Sequence, residues 1–369
     1  MPSHDPTQPA DVPRAGTSPA HSSPVGAPAG PSPADHPRAD HPRAGHGLAA
    51  ALGIAEPLIN APMAGAAGGL LAAAVSAAGG LGMLGVGGGA SDDWLHEQAD
   101  LAAGVGRPWG AGFMAWVLAD SLDPLRAVLE HRPSLVCVSF GEPGPAAALA
   151  RDAGALTAMQ VGSAAELRRA LEPDIDVVVC RGGEGGGHGR DEVATLPLLQ
   201  LALDATDKPV VAAGGIATAR GVAAVIAAGA QAAWVGTRFA ACAESLSHPR
   251  AKDAIAAAGT DDTVYTRAFD IAQGIPWPAE FGGRALRNAF SRRWAADYEG
   301  LADALNADPS LSAAIEEARS SGDTSLAPVY AGQSAGMSPG HETAADIVAE
   351  LAGFRALLAS AAERWPAGR

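Results

Sequence analysis

The sequence predicts an α/β protein: a (β/α)8, or TIM, barrel with an added C-terminal helical domain. Three observations lead there. Short apolar runs alternate with alanine-rich stretches eight times between Leu58 and Phe239. Glycines cluster directly after several of these runs, where a strand has to turn into a helix. Beyond Phe239 the alternation gives way to longer helical stretches joined by Pro/Gly-rich segments such as Q-G-I-P-W-P-A-E-F-G-G, residues 273–283.

The apolar runs read as strands near Leu58–Met63, Leu81–Val86, Gly110–Met114, Leu135–Phe140, Ala155–Gln160, Ile175–Cys180, Pro209–Ala213 and Ala233–Gly236. Their largely continuous apolar character suits parallel strands covered on both faces. Helices are expected over Leu70–Ala78, Asp93–Ala103, Pro124–Glu130, Ala146–Asp152, Ala164–Leu171, Leu196–Ala205 and Ala219–Ala228, with another starting near Arg238. Ser163 and Thr218 are placed as N-caps, each with a hydroxyl for an otherwise unpaired amide. Beyond the barrel, the helical stretches run roughly His248–Ala258, Ala285–Asn306 and Thr343–Arg364, with a small-residue turn at Tyr330–Gly336. A doubly wound dinucleotide fold would want G-x-G-x-x-G after the first strand. The turn here reads A-P-M-A-G-A-A-G-G and does not fit that spacing.

These patterns divide the chain into a disordered Pro/Ala-rich tail over 1–47, a barrel over 48–246 and a helical extension over 247–369 that packs near the barrel mouth. The tail has almost no large aliphatic residues and cannot offset its ordering entropy. It carries His36, His41 and His46, which read as solvated residues of a low-complexity segment or as a weak metal site. The 369 residues are 48% hydrophobic, enough for a full core. A net charge of −15 leaves no basic footprint for nucleic acid or an anionic membrane. No apolar stretch reaches the roughly 20 residues of a membrane span, and no signal-peptide h-region is evident. The three cysteines, Cys137, Cys180 and Cys242, sit in apolar segments and read as buried thiols of a cytoplasmic protein.

Barrel geometry places ligands at the C-terminal strand ends, so the chemistry is sought there. Cys180–Arg190 reads C-R-G-G-E-G-G-G-H-G-R, six glycines around His188. Glycines such as Gly186 and Gly187 allow left-handed dihedrals and let the backbone lie against a ligand; a solvated surface loop is the other reading. With a pKa ordinarily near 6.5, His188 serves as a general base or as a donor to an anion. Glu184, four residues earlier, reads either as the carboxylate that orients it or as a solvated residue.

Gly214 and Gly215 precede a helix starting near Thr218, and Gly236 and Thr237 precede one near Arg238. Two such turns offer main-chain amides and helix dipoles to a phosphate; the plainer reading is tight turns. No Walker A or dinucleotide fingerprint accompanies them, so flavin mononucleotide (FMN) is the best fit. The main-chain turn Ala61, Pro62 and Met63 is then placed to face the isoalloxazine, and the Gln160 amide to bond its pyrimidine edge. Met63 as core and Gln160 as a solvated residue are the alternatives. No Ser/His/Asp motif, H-E-x-x-H or C-x-x-C is present, so hydrolase and metal chemistry have no support and no metal is expected.

Six motifs in order, A-P-M-A-G (61–65), A-A-G-G-L-G (77–82), E-G-G-G-H-G (184–189), A-A-G-G-I (212–216), V-G-T-R-F (235–239) and A-G-Q-S-A-G (331–336), resemble the nitronate monooxygenase family over about residues 55–355. The resemblance implies an FMN barrel that uses O2 to oxidise alkyl nitronates, and nitroalkanes in some cases, to a carbonyl compound and nitrite. His188 aligns with the family's catalytic histidine. Two flavin neighbours depart from the common pattern: Arg181 stands where many members have Gln, and Gly112 where many have Asn. Arg181 is expected to bring a positive charge toward the flavin or a carboxylate substrate. A homodimer is compatible with this reading. The alternatives are an FMN- and NAD(P)H-dependent enoyl-acyl carrier protein reductase and a barrel that binds FMN or phosphate without catalysis. Barrels of the IMP dehydrogenase type need a nucleophilic cysteine within the loop, and Cys180 falls on the strand end instead.

Overall fold

The computed structural model describes residues 47–365 apart from residue 173. The expected tail lies outside the described residues except for Gly47, and His36, His41 and His46 lie outside them entirely.

The strands are β1 (Leu58–Asn60), β2 (Gly82–Gly85), β3 (Trp109–Met114), β4 (Leu135–Ser139), β5 (Leu156–Val161), β6 (Val177–Arg181), β7 (Gly187–Gly189), β8 (Val210–Ala213), β9 (Ala232–Val235), β10 (Thr263–Thr266) and β11 (Gly282–Leu286). Eight of them, in the order β1-β9-β8-β6-β5-β4-β3-β2, pair in parallel. These eight begin within two residues of the sequence expectation. An Ile59–Leu81 bridge closes the barrel. The ladder is short at this seam, and the buried Asn60 side chain completes it: its Oδ1 accepts from Met83 N at 2.8 Å and its Nδ2 donates to Met83 O at 2.9 Å.

Alternation along each strand sets the two core layers. Val177 and Val179 face the barrel interior with Ile59, Met83, Leu135, Val211 and Trp234. Val178 and Cys180 face the surrounding helices with Val210, Ala212 and Leu198. A short helix, Leu48–Leu52, joins the interior cluster. Its Leu48 amide is bonded to the side chain of Gln231, the residue before β9, so it closes the N-terminal end and leaves the other end for function.

The expected caps form: Ser163 accepts from Glu166 N and Thr218 from Gly221 N, both at 3.3 Å. The extension differs more from expectation. The helix expected over 285–306 is β11 followed by two helices, Ala289–Trp294 and Tyr298–Ala307. Asn288 starts the first through a capping box with Ser291, and Asp297 caps the second, so local side chain to backbone bonds overrode the apolar periodicity. The stretch 343–364 likewise divides into Ala344–Leu351 and Phe354–Arg364 at Gly353. The helix expected near Arg238 is one turn, Thr237–Ala240. The extension also contributes β10 and β11, and β7, inside the glycine loop, adds to them as an antiparallel third strand. That small sheet positions the site.

Candidate active site

Arg181, the last residue of β6, explains the glycine loop. Its side chain is 4% exposed. Nη2 donates to the carbonyls of Gly185, Gly186 and Gly187 at 2.6, 3.1 and 2.9 Å, and Nη1 to Arg190 O at 3.0 Å. Four inward carbonyls need a cation, and the chain can wind this closely only without side chains: a Cβ on Gly189 would lie 2.4 Å from Nη1. The charge expected to face the flavin or a carboxylate substrate is thus spent within the loop. Burial, followed by repulsion from Arg284, lowers the Arg181 pKa to about 10, which still leaves it cationic at neutral pH. Arg284 on β11 secures the same loop by donating to Gly183 O at 2.8 Å and pairing with Asp191.

His188 is the middle residue of β7 and pairs with Gly283 of β11. Any larger residue at 283 would crowd the ring, since a Cβ there lies 3.3 Å from Nε2. Nε2 is 2.9 Å from Asp270 Oδ1. Asp270 sits on the helix Ala268–Gln273 and is 3% exposed. Tyr330 Oη donates to the same Oδ1 at 3.4 Å, while Oδ2 is buried without a partner among the described residues. Burial and the neighbouring Asp270 charge push the Tyr330 phenol far up, so it remains a donor. Because Nε2 faces the Asp270 carboxylate oxygen, an acceptor, the imidazole hydrogen is assigned to Nε2, leaving the Nδ1 lone pair for chemistry. Among the described residues Nδ1 has no hydrogen-bond partner.

Sequence reasoning missed Asp270 and offered Glu184 as one candidate partner of His188. Glu184 instead accepts from the Thr195 amide with both oxygens, each at 3.1 Å, and its own carbonyl takes Gln333 N at 2.9 Å. Asp270 lies 82 residues beyond His188 in an ordinary helical sequence, A-F-D-I-A-Q, and only the β7–β11 pairing brings the two together.

The other expected residues fall in several groups. Ala61, Met63 and Gly236 converge at the ends of β1 and β9, where a Cβ on Gly236 would meet Ala61 Cβ at 3.6 Å and Met63 Sδ at 3.7 Å. Gly214 and Gly215 both have positive φ, +105° and +68°, beside Thr195 and Glu184 respectively. Thr237 Oγ1 accepts from Gly332 N at 2.9 Å. Gly332 in turn lies against Gly186, where a Cβ would come 2.5 Å from its nitrogen. The turn at 331–336 therefore packs against the glycine loop. Gly187 has a φ of +70° with open space where a Cβ would stand. Gln160, half-buried at the end of β5, has a side-chain amide with no partner among the described residues. Gly112 lies under the Pro62 ring, where a Cβ would come 2.3 Å from Pro62 Cγ.

The fit to FMN rests on this donor set. The turns after β8 and β9 offer glycine main chain, as a phosphate requires, and the Glu184 carboxylate beside Gly215 is occupied by the Thr195 amide. Of the two helix dipoles expected there, only Ala219–Ala227 has the length to contribute; the turn at Thr237 is too short. The unpartnered Gln160 amide suits a pyrimidine edge. Cys180, by contrast, packs into the helical layer, and burial raises its thiol to about 12, which removes it as a nucleophile. Among the described residues no group of three His, Cys, Asp or Glu side chains could hold a metal ion, and no helix is long and apolar enough to cross a membrane.

Comparison with known proteins gives the family and fold relatives of the chain. The family model described as nitronate monooxygenase matches residues 117–353. The nitronate monooxygenase npaC of Metarhizium robertsii is 37% identical over 266 residues, covering 64% of this chain and 73% of the relative. Nitroalkane oxidase from Streptomyces ansochromogenes superposes with a TM-score of 0.69 at 30% identity, covering 84% of this chain and 98% of its own. FabK from Thermotoga maritima superposes with a TM-score of 0.72 at 29% identity, covering 85% and 97%.

Proposed function

The chain belongs to the nitronate monooxygenase family and is an oxidoreductase, and from that premise we propose that it uses FMN and O2 to oxidise alkyl nitronates, and their parent nitroalkanes, to a carbonyl compound and nitrite. The observation that carries this reading is the His188–Asp270 pair, 2.9 Å apart, at the C-terminal mouth of a parallel barrel. We assign the barrel, 48–246, to hold the cofactor, and the extension, 247–369, to supply Asp270.

FMN, when bound, supplies an electron acceptor for the substrate that is in turn reoxidised by O2. Gly214, Gly215, Gly236 and Thr237 would hold its phosphate; Ala61, Met63, Gly186, Gly187 and Gln160 would border its ring. The remaining chemistry falls to His188. Nδ1 takes the α-proton of a nitroalkane, and the imidazolium so formed is stabilised by the Asp270 carboxylate through Nε2. The same imidazolium is a donor to the nitronate oxygens. Tyr330 holds Asp270 in place, and Trp277, stacked on the imidazole at 3.8 Å, covers one ring face from water.

His188→Asn tests the assignment. Loss of a general base should slow oxidation of neutral nitroalkanes by roughly 10² to 10⁴ while preformed nitronates lose far less. A fall on nitronates confined to a raised KM would make His188 an anion-binding residue. Unchanged kinetics on both substrates, at equal flavin content, would remove it from the mechanism.

A further inference from the structure

We propose that the mouth beside His188 contains a subsite for a flat aromatic ring, so that this site takes nitronates bearing an aryl group; this rests on the reading of His188 given above. The space is defined by the ring that fills it. The Trp277 indole lies parallel to the His188 imidazole, with centroids 3.8 Å apart and 5° between planes. Trp116 and Phe140 meet it edge-on at 5.2 and 5.1 Å. Phe281 packs against Phe140 at 5.4 Å, with the Arg190 guanidinium 5.0 Å from its ring. The two edge-on contacts are a geometry in which aromatic rings attract beyond their buried area.

Two further observations set this cluster apart from ordinary packing. Phe140, at the end of β4, holds a φ of +66°, a left-handed conformation unfavourable to a bulky side chain. Such strain persists where surrounding structure enforces it, and it concentrates at ligand clamps. Trp116 Nε1 is buried with no acceptor among the described residues, a donor that a ligand acceptor would satisfy.

The indole itself is lightly held. Its segment has exposed residues at Gly274, Pro276, Ala279 and Glu280. The main-chain bonds there run from Ile275 to Asp270, Trp277 to Ile275 and Phe281 to Pro278, all within the extension. Among the described residues, no hydrogen bond ties 275–280 to the barrel. Among the described residues, ring packing alone holds the indole against the barrel, so an aryl substrate can take its place on the imidazole. Trp277 is then an internal competitor, while Phe140 and Trp116 are walls of the subsite.

Calorimetric titration of the purified protein with benzoate and acetate separates these roles without turnover. Benzoate should bind at least about tenfold more tightly than acetate. Trp277→Ala removes the competitor and should tighten benzoate severalfold. Phe140→Gly, which keeps the left-handed backbone, should abolish the preference while leaving acetate unchanged. Equal binding of the two anions would overturn the proposal, as would a Trp277→Ala protein that binds benzoate no better than the parent. The nitronates of phenylnitromethane and nitroethane then distinguish the two levels of the argument. A benzoate preference without oxidation of either nitronate would leave the subsite and reject the reaction; equal oxidation of both, with no benzoate preference, would do the reverse.

Discussion

Asp270 Oδ1 and His188 Nε2 are 2.9 Å apart across the junction of barrel and extension. On the proposed mechanism the pairing gives the two imidazole nitrogens different tasks, one oriented by the carboxylate and one available to substrate. It also makes the extension part of the site's chemistry.

Asp270→Asn should therefore do more than weaken a hydrogen bond. The amide can turn its NH2 toward Nε2, which places the imidazole hydrogen on Nδ1 and blocks the base. We expect kcat on neutral nitroalkanes to fall by about 10²-fold or more, with a much smaller change on preformed nitronates. Steady-state kinetics on both substrates at equal flavin content check this; equal losses on the two would indicate a structural effect instead.

The barrel was legible in the sequence because each strand is a short apolar run, several of them followed directly by glycine, a signal local enough to place β1 to β6, β8 and β9. The extension was less so. Its turns are set by Asn288 and Asp297 capping what periodicity alone joined into one helix. In the site, His188 stood out by its glycine neighbours, whereas Asp270 and Tyr330 carry no local mark. They reach His188 only through β7–β11 pairing and packing of the helix 268–273, both long-range. Arg181 was visible but misdirected, since its binding of four carbonyls depends on how the loop closes around it.

The glycines proposed to hold the phosphate are not equivalent test positions. A Cβ on Gly214 would come 2.7 Å from Thr195 Oγ1 on a backbone with φ +105°. Any side chain there costs about 1–3 kcal/mol of strain before charge matters. Gly236 has ordinary φ and only 3.6–3.7 Å neighbours. Gly236→Asp should thus melt close to the parent yet lose FMN, since a carboxylate about 4 Å from phosphate costs about 4 kcal/mol near a protein surface, roughly a thousandfold in affinity. Flavin retained by a normally folded Gly236→Asp protein would place the phosphate elsewhere.

All three cysteines are buried, and burial raises their thiols to about 11 for Cys137 and about 12 for Cys180 and Cys242. At pH 8 the thiolate fraction is on the order of one part in a thousand or less. A disulfide reagent should find no reactive thiol in the native protein and three after denaturation. Because the folded values exceed the unfolded value near 8.5, the stability that protonated thiols contribute is present below that pH and is lost as pH rises toward 11 to 12. Melting temperature should decline over that alkaline window; rapid labelling of native protein at pH 8 would contradict the burial.

The most direct measurement of the central claim is oxygen consumption by the FMN-loaded protein given propane-2-nitronate in air, with nitrite followed in the same vessel and no nicotinamide cofactor added. The account predicts O2 uptake with nitrite formation, both strongly reduced in Asp270→Asn when the nitronate is replaced by 2-nitropropane. Absence of O2 uptake with any nitronate, together with NAD(P)H-dependent reduction of an enoyl thioester by the same preparation, would contradict it.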